Sequence, residues 1–261
     1  MLPACRILCV GCEAPSVGGC LRAVPPGGIG KAIAAGYLRS GAQVVIAGRD
    51  AGKLAQAQAE LARLGPVTGH PADVSTDDGL RGLVGRTLAE IGHLDVLVNC
   101  QGVTVLKPAE EFSGADWSAV IDTDLRSVFF ACTEVGRHML ERGSGAIINI
   151  ASLASHRGWP RSALYAIAKA GVLSLTQTLG AEWAARGVRV NAISPGFFMT
   201  DLNRDKMSPE RKALALARTP AGRFGEVDEL VGAAIYLASP AAGFVNGQSI
   251  AVDGGFLATG L

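Results

Sequence analysis

Aromatic side chains are scarce, at 5% of the 261 residues, and charged side chains reach only 18%. The 24 basic and 23 acidic residues leave a net charge of +1, with no run of either sign. That balance offers no electrostatic footprint for nucleic acid or for an anionic membrane, so neither is expected as a partner. Long apolar runs are missing as well: the stretch around Leu164 to Ala185 is interrupted by Lys169 and Glu182, and nothing reads as a membrane span. A cytoplasmic globular protein is expected.

Cysteine is nearly absent beyond residue 20, where only Cys100 and Cys132 follow Cys5, Cys9, Cys12 and Cys20. The C-x3-C-x2-C-x7-C spacing lacks the paired short knuckles of a zinc module and has no histidine beside it, so no metal site is expected. Val17-Gly18-Gly19-Cys20 faintly resembles a lipidation box, but no apolar region of the usual length precedes it. Reduced thiols in an unusual leading segment are the simpler reading.

What is abundant is glycine, 34 residues of it, set among short apolar runs and longer helical patterns. Strands are predicted at 43–47, 67–70, 95–99, 146–150, 188–193 and 249–252, and helices at 29–40, 51–63, 76–91, 116–141, 163–186, 208–217 and 226–238. Continuous apolar strands alternating with helices imply a parallel sheet covered on both faces. No linker or repeat divides residues 27–261, which read as one domain preceded by an atypical segment, 1–26. The first strand has two placements. Ile7-Leu8-Cys9-Val10 is apolar but leaves more than a dozen residues before Gly28, whereas Gly19 to Val24 is better spaced but puts Arg22 in a central strand, where an unpaired charge is costly.

Four features carry chemistry. Gly28-Ile29-Gly30 at the start of a helix lets backbone N–H groups approach a phosphate, although a plain strand-to-helix turn has the same glycines. Arg49, at the end of the second strand, offers a guanidinium where a dinucleotide's adenosine ribose would lie, which favours NADP over NAD; an exposed loop arginine looks the same. Tyr165 and Lys169 share a helix face, and a nearby ammonium is what allows a phenol to move a proton near neutrality. Ser152 follows an apolar strand, where its hydroxyl can hold a carbonyl oxygen or simply cap a turn.

With Gly28-Ile29-Gly30, Asp73-Val74, Asn99-Cys100-Gln101-Gly102, Ser152, Tyr165-Ala166-Ile167-Ala168-Lys169, Asn191 to Gly196 and Val252-Asp253-Gly254-Gly255 in order, the chain resembles a short-chain dehydrogenase/reductase from residue 27 onward. The resemblance implies a single α/β domain with a Rossmann-type, doubly wound parallel sheet, and hydride transfer between NAD(P) and a hydroxyl or keto group. It implies that Ser152 orients the substrate oxygen, Tyr165 moves its proton and Lys169 supports the tyrosine. Asp73 and Val74 would lie against adenine, Asn99 and Gly102 beside the cofactor, and Pro195, Gly196 and Thr200 around the nicotinamide. A homodimer or homotetramer is implied, with helices 116–141 and 163–186 as interface candidates.

The segments 196–203 and 218–225 are similar to the sugar-acid branch that includes gluconate 5-dehydrogenase and deoxygluconate dehydrogenases. There the small-molecule substrate is a polyhydroxy carboxylate, which Arg157, Arg161 or Arg204 would pair with. The same motifs also permit a 3-oxoacyl-thioester reductase.

Two departures stand out. The family's Thr-Gly falls on Ala23 and Val24, followed by Pro25 and Pro26, as though residues 1–26 were a foreign leader replacing the first strand. Asp124 stands where the family usually has an asparagine of its catalytic tetrad; an extra negative charge there would pair with Lys169 or raise the pKa of Tyr165, slowing catalysis near neutrality. A catalytically impaired cofactor-binding protein is the alternative these departures suggest.

Overall fold

A computed structural model describes residue 2 and residues 4–11, 28–198 and 208–259. The first strand is β1, Arg6–Val10, and it lies at the centre of the sheet. Val10 stands level with Ala47 of β2 (Gln43–Gly48) on one side and with Asn99 of β4 (Val96–Asn99) on the other. Ile7, Leu8 and Cys9 are wholly buried. Energetics explain why this placement wins despite the long path to Gly28. Fully burying an aliphatic side chain gains about 1.5–3 kcal/mol, while doubling a loop costs only about 0.6 kcal/mol. Residues 6–10 thus supply the first strand, the first of the two placements. The competing placement at 19–24 lies outside the described residues.

The remaining strands follow the apolar runs: β3 (Val67–Pro71), β5 (Gly145–Ile150), β6 (Val188–Pro195) and β7 (Ser249–Val252). All are parallel, in the order β3-β2-β1-β4-β5-β6-β7. The order reverses between β1 and β4, and that switch opens a crevice at the strands' carboxyl ends. Helices α1 (Ile29–Arg39) and α8 (Val231–Ala238) pack on one face, and α3 (Asp77–Ile91), α5 (Ser127–Arg142) and α6 (Ala163–Trp183) on the other, each face closing its own apolar core. Side chains start several helices: Asp50 accepts from Gly52 and Lys53 N–H to open α2 (Ala51–Leu61), and Ser113 makes a reciprocal cap with Asp116 on α4 (Gly114–Ile121). Ser208 opens α7 (Pro209–Ala217).

The helix expected over 116–141 is not continuous. A π turn, Asp122–Arg126, separates α4 from α5. It carries Asp124 to a fully buried position facing α6, and such turns recur where a helix must present a side chain out of register.

Candidate active site

The crevice at the carboxyl ends of β1, β2 and β4 is lined by Gly11, Arg49, Asp73, Val74, Gln101 and Gly102, among others. Arg49, Asp73, Val74 and Gly102 were anticipated; Gly11 was not. Gly11 has φ +77°, and a Cβ there would sit 2.5 Å from the Gln101 nitrogen. Only glycine fits without displacing backbone. Its signal in the sequence is a glycine directly after the apolar run 7–10, a role the family spacing had assigned to position 24. Val24, Pro25, Pro26, Thr200 and Arg204 lie outside the described residues.

Gly28 caps α1 with no side-chain partner, and no acidic residue occupies the first turn. The N-terminal N–H groups at Ile29 and Gly30 are thus left for an anion. A glycine wall that a Cβ would fill, beside such a helix start, suits the pyrophosphate of a nicotinamide dinucleotide. At the end of β2, Asp50 is committed to capping α2, while Arg49 is exposed with no partner among the described residues. Asp73 folds its own turn by accepting from Ser75 N and Oγ at 3.0 and 2.7 Å.

Asn99 departs from its expected place beside a cofactor. Its amide donates to Asn149 Oδ1 at 2.9 Å inside the sheet, and Asn149 donates onward to Thr176. The side chain is 1% exposed, so this amide chain knits β4, β5 and α6 together rather than facing the crevice. Pro195 ends β6, and Gly196 passes so close to Asp253 that a Cβ would lie 2.6 Å from its Cα.

Lys169 stands close to Asp124 and to the Tyr165 ring, next to Gly102 of the crevice, and Ser155 ties the Ser152 backbone to the Lys169 carbonyl. Ser152 Oγ accepts from Ala154 N at 3.2 Å as the cap of a short 3-10 turn. Its backbone N–H is held by Ser155, whose hydroxyl donates to the Lys169 carbonyl. The serine hydroxyl proton is left to donate elsewhere, so capping and substrate binding are compatible. The Tyr165 hydroxyl has no partner among the described residues, and Lys169 Nζ lies 5.8 Å from its ring centroid. Lys169 is 3% exposed and donates to the carbonyls of Gln101 and Ile150 at 3.2 and 3.1 Å. Those two strand-end carbonyls fix the ammonium in place.

Asp124 Oδ1 accepts from Val103 N at 2.6 Å; Oδ2 has no hydrogen bond and lies 3.8 Å from Lys169 Nζ. Burial pushes the Asp124 carboxyl up to about 7, against the opposing pull of Lys169 and the Val103 N–H. A Cβ on Gly102 would stand 3.2 Å from Asp124 Oδ2 and 3.3 Å from Lys169 Nζ, so Gly102 joins the crevice to the buried pair.

A second cavity, of about 840 Å³, opens beside the segment joining Ser152 to Tyr165. Trp159, Phe197 and Phe256 form its wall, with ring centroids 5.7–6.1 Å apart; the scarce aromatics are concentrated here. Arg157, a candidate for the substrate carboxylate, is otherwise employed, donating to the carbonyls of Leu257 and Thr259 at 2.9 Å each. Arg161 adopts φ +66°, a conformation costing on the order of 1–3 kcal/mol in a residue other than glycine.

The family profile described as Enoyl-(Acyl carrier protein) reductase matches residues 23–257. Gluconate 5-dehydrogenase of Gluconobacter oxydans is 40% identical over 230 residues, covering 87% of this chain and 90% of its own. The 2-dehydro-3-deoxy-D-gluconate 5-dehydrogenase of Escherichia coli is 42% identical over 189 residues, or 72% of this chain and 75% of its own. Among solved structures, a gluconate 5-dehydrogenase from Burkholderia cenocepacia in complex with NADP and tartrate superposes with a TM-score of 0.89 at 37% identity, covering 99% of this chain and 97% of that one.

Proposed function

Because the chain belongs to the short-chain dehydrogenase/reductase family, we propose that it moves a hydride between NADP and a hydroxyl or keto carbon of a sugar acid, using Ser152, Tyr165 and Lys169. The observation that carries this reading is their convergence: an unpartnered tyrosine hydroxyl, an ammonium buried beside its ring and a serine hydroxyl with a proton to donate, next to a glycine-walled crevice. When bound, the nicotinamide supplies the hydride acceptor for oxidation and the donor for reduction.

In oxidation, Ser152 holds the substrate oxygen by donating to it, and Tyr165 takes the proton as the carbon–oxygen bond becomes a carbonyl; in reduction the proton returns. Lys169, anchored by the Gln101 and Ile150 carbonyls, holds its charge beside the Tyr165 ring. Around the cofactor, Gly11, Gly28, Ile29 and Gly30 would face the pyrophosphate, Asp73, Val74 and Gly102 the adenosine side of the crevice, and Pro195, Gly196 and Thr200 the nicotinamide. Arg49 supports a preference for NADP, since its guanidinium faces the crevice while Asp50 is occupied as a helix cap.

Sugar acids as substrates rest on the relatives' names and on the arginines around the aromatic-walled cavity. A screen of NADP and NAD against sugar acids, neutral polyols and a 3-oxoacyl thioester tests the reading: turnover of a sugar acid with NADP is expected. Turnover of the thioester alone, or cofactor binding with no turnover of any carbonyl or alcohol, would overturn it.

The chain is also inferred to form a homodimer or homotetramer in the cytoplasm. Trp117 on α4, Phe129 on α5 and Ile167 on α6 leave 50%, 42% and 50% of their surface exposed, which suits an interface between copies.

A further inference from the structure

We propose that Arg161 is the carboxylate-reading residue of the substrate site, with Arg218 beside it, so that the enzyme selects hydroxy acids over neutral polyols; the inference rests on the sugar-acid reading above. Both arginines line the 840 Å³ cavity. The segment that carries Arg161 runs in sequence between Ser152 and Tyr165, and Ser162 next to it bonds to Thr104, two residues past Gly102 of the crevice.

Of the arginines on that segment, Arg157 is tethered through one nitrogen to the Leu257 and Thr259 carbonyls. Arg161 has no side-chain partner among the described residues, and the same holds for Arg218 at the end of α7. Among the described residues no carboxylate lines the cavity. Arg157 and Arg211 line the same cavity, so four guanidinium groups stand beside an aromatic wall with no acid among the described lining residues, a setting complementary to an anion with an extended body.

The backbone at Arg161 supplies a second, independent observation. Its φ of +66° is disfavoured for arginine, yet the loop around it is pinned on every side. The Arg161 carbonyl accepts from Lys107 N at 2.9 Å, Ser162 bonds to Thr104 at 3.0 Å, and Trp159 packs between Phe197 and Phe256. Glycine would satisfy this conformation at lower cost. A strained backbone kept at an arginine by its surroundings is the kind of outlier that gathers at ligand sites.

The test exploits that strain. Arg161→Gly removes the charge while relieving the backbone, so it is expected to melt no lower than the wild type. Gluconate and sorbitol are titrated against both proteins in the presence of NADP, followed by tryptophan fluorescence, since Trp159 lines the cavity; turnover is measured alongside. Loss of a charge-assisted pair predicts that Arg161→Gly weakens gluconate binding by about 10- to 100-fold and leaves sorbitol within about twofold. Arg161→Lys is expected to recover part of the loss. Equal gluconate binding by wild type and variant, equal weakening for both ligands, or no gluconate binding by the wild type would overturn the assignment. Sugar-acid turnover that is insensitive to Arg161 defeats this inference alone; Arg161-dependent binding without turnover defeats the sugar-acid dehydrogenase reading alone.

Discussion

Both oxygens of Asp124 are withdrawn from water, one on the Val103 N–H and the other facing Lys169 without a hydrogen bond. Its folded-state pKa of about 7 lies above the ordinary 3.8. The folded protein therefore holds a proton that the unfolded chain releases, and stability falls as pH rises from about 4 to about 7 and stays lower above that. Asp124→Asn removes this slope, so the variant is expected to melt above the wild type beyond about pH 7, by roughly 2–4 °C per kcal/mol regained. Turnover should respond too. Above its pKa the carboxylate draws on the Lys169 charge that stands beside the Tyr165 ring, so Asp124→Asn is expected to raise turnover near about pH 8 by up to about tenfold. Superimposable pH profiles would contradict this. The departure at 124 is legible in the sequence as a changed residue type; its burial and its contact with Val103 are not, because they depend on a π turn.

That turn marks what pattern reading misses at the scale of elements. The sequence through 116–141 keeps helical periodicity across Asp122–Arg126, so one extra residue per turn leaves no composition signal. Strands β2, β4, β5 and β6 were legible because their apolar runs are nearly continuous and bounded, while β3, Val-Thr-Gly-His-Pro, was legible mainly from its place between two helices. β1 was ambiguous because spacing and burial disagreed, and burial decided. The same ambiguity hid Gly11, whose role follows from where β1 ends. Gly11→Ala tests that role: a Cβ 2.5 Å from the Gln101 nitrogen, at φ +77°, is expected to cost about 1–3 kcal/mol of stability and to weaken NADPH binding by at least about tenfold, read by cofactor fluorescence. Unchanged affinity would remove Gly11 from the phosphate cradle. The tether of Arg157 was hidden for a related reason: its carbonyl partners Leu257 and Thr259 lie about a hundred residues away, and no local pattern reports a contact at that range.

At the scale of the molecule, the parallel sheet gathers side chains from distant parts of the chain at one edge, which is why Ser152, Tyr165 and Lys169 were recognisable by spacing while the aromatic-walled cavity was not. The exposed Trp117, Phe129 and Ile167 predict self-association: sedimentation should show a dimer or tetramer, and Ile167→Asp should shift it towards smaller species. A monodisperse wild-type monomer would contradict the inferred assembly. The central claim, proton movement by Tyr165 coupled to hydride transfer, is tested most directly by comparing wild type and Tyr165→Phe for NADPH formation from a sugar acid, with NADPH affinity measured on both. The expected result is a fall in kcat of about 10²- to 10⁴-fold with affinity for NADPH held within about twofold; turnover by Tyr165→Phe at the wild-type rate would contradict it.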